Sequence, residues 1–123
     1  MTSDLFSSSL RAYRERGFFK EIKILRGIER ESLRVDKNGK ISQKNHPKNL
    51  GSPLTNIDIT TDFAEALVEL VTPTFESPEE LFDHLNLLHR FLYSELVDEM
   101  LWNFSMPCAF TNEKEIRIAE YGN

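Results

Sequence analysis

The chain has a single cysteine, Cys108, among its 123 residues. No intramolecular disulfide can form, so a secreted disulfide scaffold is excluded. No apolar run approaches the ~20 residues that a membrane-spanning helix needs. Met1 to Leu10 carries an acid early, Asp4, and no long apolar core, and does not read as a secretory signal. A basic excess is also lacking: 15 Lys and Arg stand against 20 Asp and Glu, a net charge of -5. Non-specific nucleic-acid binding needs a basic face to neutralise phosphates, so neither nucleic acid nor membrane is an expected partner. There is no Gly-x-x-x-x-Gly-Lys-Ser/Thr loop and no Gly-x-Gly-x-x-Gly, so any nucleotide site belongs to neither of those classes. Repeats, low-complexity tracts and Pro/Gly/Ser linkers are missing too, which leaves one domain or one piece of one. The expected compartment is a reducing cytoplasm.

Hydrophobic residues make up 40% of the chain and charged residues 28%, the balance of a globular domain with a core. Asp4 to Arg16 reads as a helix with Leu5, Phe6, Leu10 and Tyr13 on one face, capped by Ser3 or Asp4 and ended by Gly17. Ile22 to Val35 alternates as one long strand, with Glu29, Glu31, Leu33 and Val35 on one side and Arg30, Ser32 and Arg34 on the other. Asn38-Gly39 then predicts a type I′ hairpin turn returning through Lys40-Ile41-Ser42. Gln43 to Asn56 reads as loop. Ile57 to Thr72 reads as a second strand, ended by Pro73. Ser77, Pro78 and Glu80 form a helix start with a capping box, and Leu81, Leu85, Leu88 and Leu92 recur at helical spacing to about Leu96. Trp102 to Phe110, broken by Pro107, suits an edge strand or extended loop, and Ile116 to Ala119 could begin a further element. The expected class is α+β: a mostly antiparallel sheet, its two main strands neighbours, with the Ser77–Leu96 helix packed on it.

Glu29 and Glu31 are the sharpest chemical feature. Two apart in a strand, they project from one face about 6.5–7 Å apart. Like charges so close resist joint ionisation unless a cation lies between them. Hard carboxylate oxygens suit magnesium or manganese, which engage phosphate-bearing substrates at the same time. An exposed strand whose glutamates pair with cross-strand arginines would show the same Glu-x-Glu pattern. Asp62, Glu65 and Glu69 form a second set. In a regular strand Glu65 and Glu69 share a face, and Asp62 joins them only through a bulge or bend. Among Phe63, Ala64, Ala66, Leu67 and Val68 such carboxylates are costly to bury unpaired, and the alternative is a solvated face. His84 and His89 are five apart and offer no i, i+4 zinc pair, and His46 sits in a loop. Cys108 has no flanking base or cation and reads as an inert buried thiol. Arg26, Arg30 and Arg34 form a stripe that can meet either phosphate or acidic neighbours.

Three segments in order resemble the bacterial glutamate–cysteine ligase (γ-glutamylcysteine synthetase) family. They are G-I-E-R-E-S-L-R-V from Gly27; N-L-G-S-P-L-T followed by I-T-T-D-F-A-E-A-L-V-E-L-V-T-P ending at Pro73; and S-M-P-C at Ser105 to Cys108 with A-E-Y-G at Ala119 to Gly122. The resemblance runs from about residue 20 to the end. It implies a catalytic domain related to that of glutamine synthetase, with ATP and metals on the concave face of an antiparallel sheet. It also implies a ligase of glutathione biosynthesis, in which ATP phosphorylates the γ-carboxylate of glutamate and the amine of cysteine attacks the acyl phosphate. Carried over residue by residue, the family's acidic metal ligands fall on Glu29, Glu31, Asp62 and Glu69, for Mg2+ or Mn2+, and not on Glu65. Family members are much longer. Residues 1–123 are therefore expected to be the N-terminal part of one catalytic domain, truncated after Tyr121-Gly122-Asn123 and inactive alone. The cysteine and adenine contacts would lie elsewhere. A non-catalytic binding module built on the same fold is the alternative.

Overall fold

The computed structural model describes residues 2–121. Four strands form one antiparallel sheet: β1 (Glu29–Val35), β2 (Ile59–Thr60), β3 (Leu67–Val71) and β4 (Met100–Trp102), in the spatial order β2-β3-β1-β4. The strand predicted from Ile22 is realised only from Glu29, where the ladder begins; residues 22–27 are exposed. Its partner β3 ends at Val71, and Pro73 has no N–H to continue the pairing. Residues 22–28 meet the sheet's end where Arg26 bridges Phe75, where the Ile28 N–H bonds the Thr72 hydroxyl at 2.9 Å, and where the Thr72 N–H bonds the Ile28 carbonyl at 3.0 Å. At the other end β1 turns back as expected, with Val35 bridging Ile41. The turn is not type I′. Among its residues Gly39 alone has positive φ, at 75°, and the Asp36 carboxylate accepts the Asn38 and Lys40 N–H groups. Those two bonds hold the Asp36 carboxyl below its ordinary range, the bond from Lys40 contributing most.

The larger departure is the segment Ile57 to Thr72. It is not one strand but a hairpin: β2 and β3 pair with each other, Ile59 opposite Leu70 and Thr60 opposite Glu69. The chain reverses at Asp62-Phe63-Ala64, where the Ala64 N–H reaches back to the Asp62 carbonyl at 2.6 Å across Phe63, whose φ is 55°. A three-residue turn with positive φ at a bulky residue costs about 1–2 kcal/mol. Thr-Thr-Asp-Phe-Ala-Glu lacks the Gly, Asn and Pro that advertise turns, so the sequence pattern runs straight through it.

The helix α3 (Pro78–Glu95) starts as predicted, Ser77 Oγ accepting the Glu80 N–H, although Glu79 rather than Glu80 supplies the carboxylate that engages the Ser77 hydroxyl. Leu81, Leu88 and Leu92 are buried, and Leu88, Leu92 and half-buried Leu85 pack with Leu50, Ile59, Val68, Leu70 and Leu101 into the main core. A second, smaller core lies on the opposite face: Val35, Ile41, Ala66 and Cys108, with Leu33, Trp102 and Ile116 against it. The edge strand β4 overlaps the expected Trp102–Phe110 segment only at Trp102; the rest of that segment, Pro107 included, is loop with a single bridge, Ala109 to Lys40. The 116–119 segment makes a single bridge, Ile118 to Ala64. The loop 43–56 holds one short 3-10 turn, Lys48–Leu50. At the N-terminus α1 (Thr2–Glu15) forms, Gly17 turns with φ 70°, and α2 (Phe18–Glu21) follows. Leu5, Phe6, Leu10 and Tyr13 share a helix face as predicted, but that face is exposed. The expected cap at Ser3 falls on a side chain outside the described residues, as do Gly122 and Asn123.

Candidate functional site

The hairpin resolves a parity conflict in the sequence. Along one strand Asp62 and Glu69 point to opposite faces. Across an antiparallel pair, residues opposite one another share a face. Thr60 lies opposite Glu69, so Thr60 and, two residues on, Asp62 are turned to the Glu69 side. Glu31 lies opposite Glu69 from the other flank, and Glu29 lies opposite Val71. All four predicted ligands therefore belong to the face of the sheet that α3 leaves uncovered. One carboxylate oxygen each from Glu31, Asp62 and Glu69 lie within 4.8 Å of one another. Glu29 is not part of this triad and stands one position further along β1 toward Arg26.

The electrostatics of the group are those of like charges held together. The Glu69 carboxyl is pushed above its ordinary range by partial burial first, and then by the charges of Glu31, Glu29 and Asp62. Among the described residues, none of the four is in a salt bridge. The nearest arginine in sequence, Arg30, points to the other face and bonds the Asn103 side chain. Three clustered hard oxygen donors with no protein cation among them fit a magnesium- or manganese-sized ion, which takes carboxylates and leaves room for phosphate or water.

Glu65 behaves differently: the regular strand that would set it on one face with Glu69 does not form there, and the alternative of a solvated face does not hold for it either. It is 4% exposed, in the hairpin loop, and both its oxygens are committed: one accepts the His46 N–H at 2.8 Å and the other the Glu120 N–H at 2.9 Å. Its carbonyl accepts from Arg34 Nη2 at 2.7 Å, and Arg34 is itself wholly buried and paired with Glu99 at 2.8 Å. The Arg34 N–H also bonds the Ala66 carbonyl at 2.7 Å. On the loop's far side the Glu65 N–H bonds the Arg117 carbonyl, and the Ala119 N–H bonds the Phe63 carbonyl. The turn that carries Asp62 is thus clamped by β1 from beneath and by the 117–120 segment from the side. Glu65 fixes backbone, each of its oxygens accepting one N–H. The sequence signal for this was present in the small neighbours Ala64 and Ala66, which leave room for burial, but its partners are backbone groups that no motif marks.

Beside the carboxylates the uncovered face opens into a cleft of about 340 Å³, lined by Glu31, Leu33, Leu67, Trp102, Met106 and Pro107 among others. The three motif segments meet here: the first supplies Glu29 and Glu31, the second the hairpin, and the third the cleft wall at Ser105–Pro107. Cys108 turns away into the smaller core, where burial raises its thiol pKa, in keeping with an inert role. A second cleft, of about 250 Å³, lies between Asn45–Pro53 and Glu120–Tyr121. His46 borders it with neither ring nitrogen bonded, and burial, then the charge of Arg34, lowers its pKa. His89 bonds the Leu85 carbonyl through Nδ1, and His84 stacks near Phe75. The arginine stripe serves the fold: Arg26 bonds the Ile24 and Glu76 carbonyls, Arg30 an asparagine, and Arg34 Glu99.

Comparison with known proteins matches the same segments. The family model described as glutamate–cysteine ligase matches residues 9–123. Glutamate–cysteine ligases from Pseudomonas putida (strain W619) and Wigglesworthia glossinidia brevipalpis are each 52% identical, over 98 and 101 residues, or 80% and 82% of this chain. The chain spans only 19% and 20% of those relatives. Among solved structures, a glutamate–cysteine ligase from Francisella tularensis in complex with AMP superposes with a TM-score of 0.76 at 42% identity, covering 80% of this chain and 20% of that one. A bifunctional glutathione synthetase from Pasteurella multocida gives 0.73 at 36% identity, covering 76% of this chain and 13% of that one. With 115 of its residues under the family model and a matching fold, the chain belongs to the glutamate–cysteine ligase family.

Proposed function

We propose that this chain is the N-terminal part of a single catalytic domain that joins the γ-carboxylate of L-glutamate to the amine of L-cysteine at the expense of ATP. A γ-carboxylate oxygen attacks the terminal phosphorus of ATP and ADP leaves. The cysteine amine then attacks the acyl carbon, phosphate leaves with the bridging oxygen, and the nitrogen loses a proton. Bound at the carboxylates, Mg2+ or Mn2+ supplies positive charge against the phosphate oxygens as negative charge shifts during transfer. The observation that carries this reading is the meeting of Glu31, Asp62 and Glu69 on the uncovered face, none of them in a salt bridge among the described residues. Glu29 adds a fourth negative charge beside them. The β1–β3 ladder and the clamped hairpin hold these groups before any ligand arrives, which is how a site avoids reorganising during reaction. The adjoining cleft sets Leu33, Leu67, Trp102, Met106 and Pro107 beside the group.

This part supplies the acidic side of the site, and the contacts to cysteine and to the base of ATP come from the remaining length. A cytoplasmic setting goes with the reading: ATP is available there, and the lone Cys108 stays reduced. The described residues contain no helix long and apolar enough to cross a membrane. The test is made in a full-length ligase carrying these residues, by glutamate- and cysteine-dependent ADP release. Glu31→Gln, Asp62→Asn and Glu69→Gln should each lower the rate at least ~100-fold, the scale of a single electrostatic group, with partial recovery at high Mg2+. Near-normal rates at all Mg2+ concentrations would contradict the assignment. The 123-residue chain alone should release no ADP.

A further inference from the structure

Asp62 is the one member of the triad that no strand holds. Glu31 and Glu69 face each other across a ladder, whereas Asp62 lies two residues beyond the end of β2 and enters a turn with φ 55° at the next position. Something must fix the mouth of that turn. The ladder does not: its last rung is Thr60 opposite Glu69. The Thr61 side chain takes over. Thr61 is 3% exposed and turned to the core side, away from the carboxylates. Its hydroxyl lies 2.9 Å from the Ala64 carbonyl and 2.7 Å from the Leu67 carbonyl, and its single proton is shared between them. Leu67 is the first residue of β3, the strand that bears Glu69. One hydroxyl therefore ties the residue before Asp62 both to the turn and to the strand carrying its neighbour in the triad.

Resting on the reading of the triad as a cation site, we propose that Thr61 is a positioning residue that sets the distance between the Asp62 and Glu69 carboxylates. It touches no ligand. It acts through the backbone of the turn, in the manner of the outer hydrogen bonds that orient metal ligands, whose loss typically weakens metal binding 10- to 100-fold. Thr61→Val keeps the shape and removes the hydroxyl. Thr61→Ser keeps the hydroxyl and removes a methyl group.

The test is Mn2+ binding to the 123-residue chain, read as the loss of the free-ion signal in electron paramagnetic resonance. Thr61→Val should weaken binding about tenfold, and Thr61→Ser should stay within about threefold of the unsubstituted chain. In an Asp62→Asn background, Thr61→Val should cause no further loss, because the group it positions is no longer a charged ligand. A merely structural role for Thr61 predicts equal losses in both backgrounds, and that result overturns the proposal. So does Mn2+ binding that Thr61→Val leaves unchanged, or a tenfold loss in Thr61→Ser, a variant that tests the hydroxyl even where the valine variant does not fold. If the unsubstituted chain takes up no Mn2+, the cation reading fails and the proposal with it, an outcome distinct from binding that is indifferent to Thr61.

Discussion

The two faces of one strand treat charge in opposite ways. On the α3 side β1 presents Arg34, which is wholly buried and meets the Glu99 carboxylate at 2.8 Å and the carbonyls of Lys44, Asn45 and Glu65 at 3.0, 3.2 and 2.7 Å. Burial pulls the Arg34 pKa down, and Glu99 and then Glu65 pull it back up. On the other side, one residue out of phase, β1 presents Glu31 against Glu69 with Asp62 beside them. Both terminal nitrogens of the buried guanidinium are met from within the chain, and only its Nε lacks a partner, while the carboxylates of the other face have only one another. A fold that was only minimising its own energy would not place three carboxylates together and leave the arginines of the same strand facing elsewhere. The charges with partners hold the structure; the charges without them are the group proposed above to take a cation.

That contrast can be broken first on the covered face, where effects are largest. Glu99→Ala leaves Arg34 buried with carbonyl partners alone and should cost about 3–5 kcal/mol, read by urea unfolding. By the same measurement Leu92→Ala, which opens a cavity at a fully buried position under the sheet, should cost about 3 kcal/mol. If Glu99→Ala were nearly neutral, the partnered and unpartnered charges would not differ in the way described.

On the uncovered face the sign reverses and the effect is smaller. The Glu69 carboxyl has a higher pKa folded than unfolded, so the folded state binds the proton more tightly. Without a cation, stability should therefore rise as pH is lowered through the raised pKa toward the ordinary glutamate value, and stay flat above it. Glu69→Gln should remove this dependence and leave stability at neutral pH equal to or slightly above that of the unsubstituted chain. Melting temperature against pH, metal-free, checks it.

How much of this could be read in the sequence follows from where the information lies. The α3 leucines and their cap are local and periodic, and were legible. So were Glu29 and Glu31, because strand parity is a local rule. The relation of Asp62 to Glu69 was not, because it depends on a reversal that no Gly, Asn or Pro marks, with Phe63 at positive φ where the Ala64 N–H donates to the Asp62 carbonyl and the Ala119 N–H to the Phe63 carbonyl. The burial of Glu65 was hidden for a related reason: its partners, the N–H groups of His46 and Glu120, lie 19 and 55 residues away in loops. The resemblance to family motifs picked out Asp62 and passed over Glu65; the hairpin brings Asp62 to the Glu69 side and buries Glu65 against backbone.

The most direct test of the account is the melting temperature of this chain with and without Mg2+ at neutral pH, beside Glu69→Gln. A cation that binds only the folded state at a hundred times its dissociation constant adds about 2.7 kcal/mol, several degrees for a domain of this size. The account predicts that rise for the unsubstituted chain, its loss in Glu69→Gln, and its loss on acidification as the carboxylates protonate. A melting temperature indifferent to Mg2+, or an equal rise in Glu69→Gln, would contradict it.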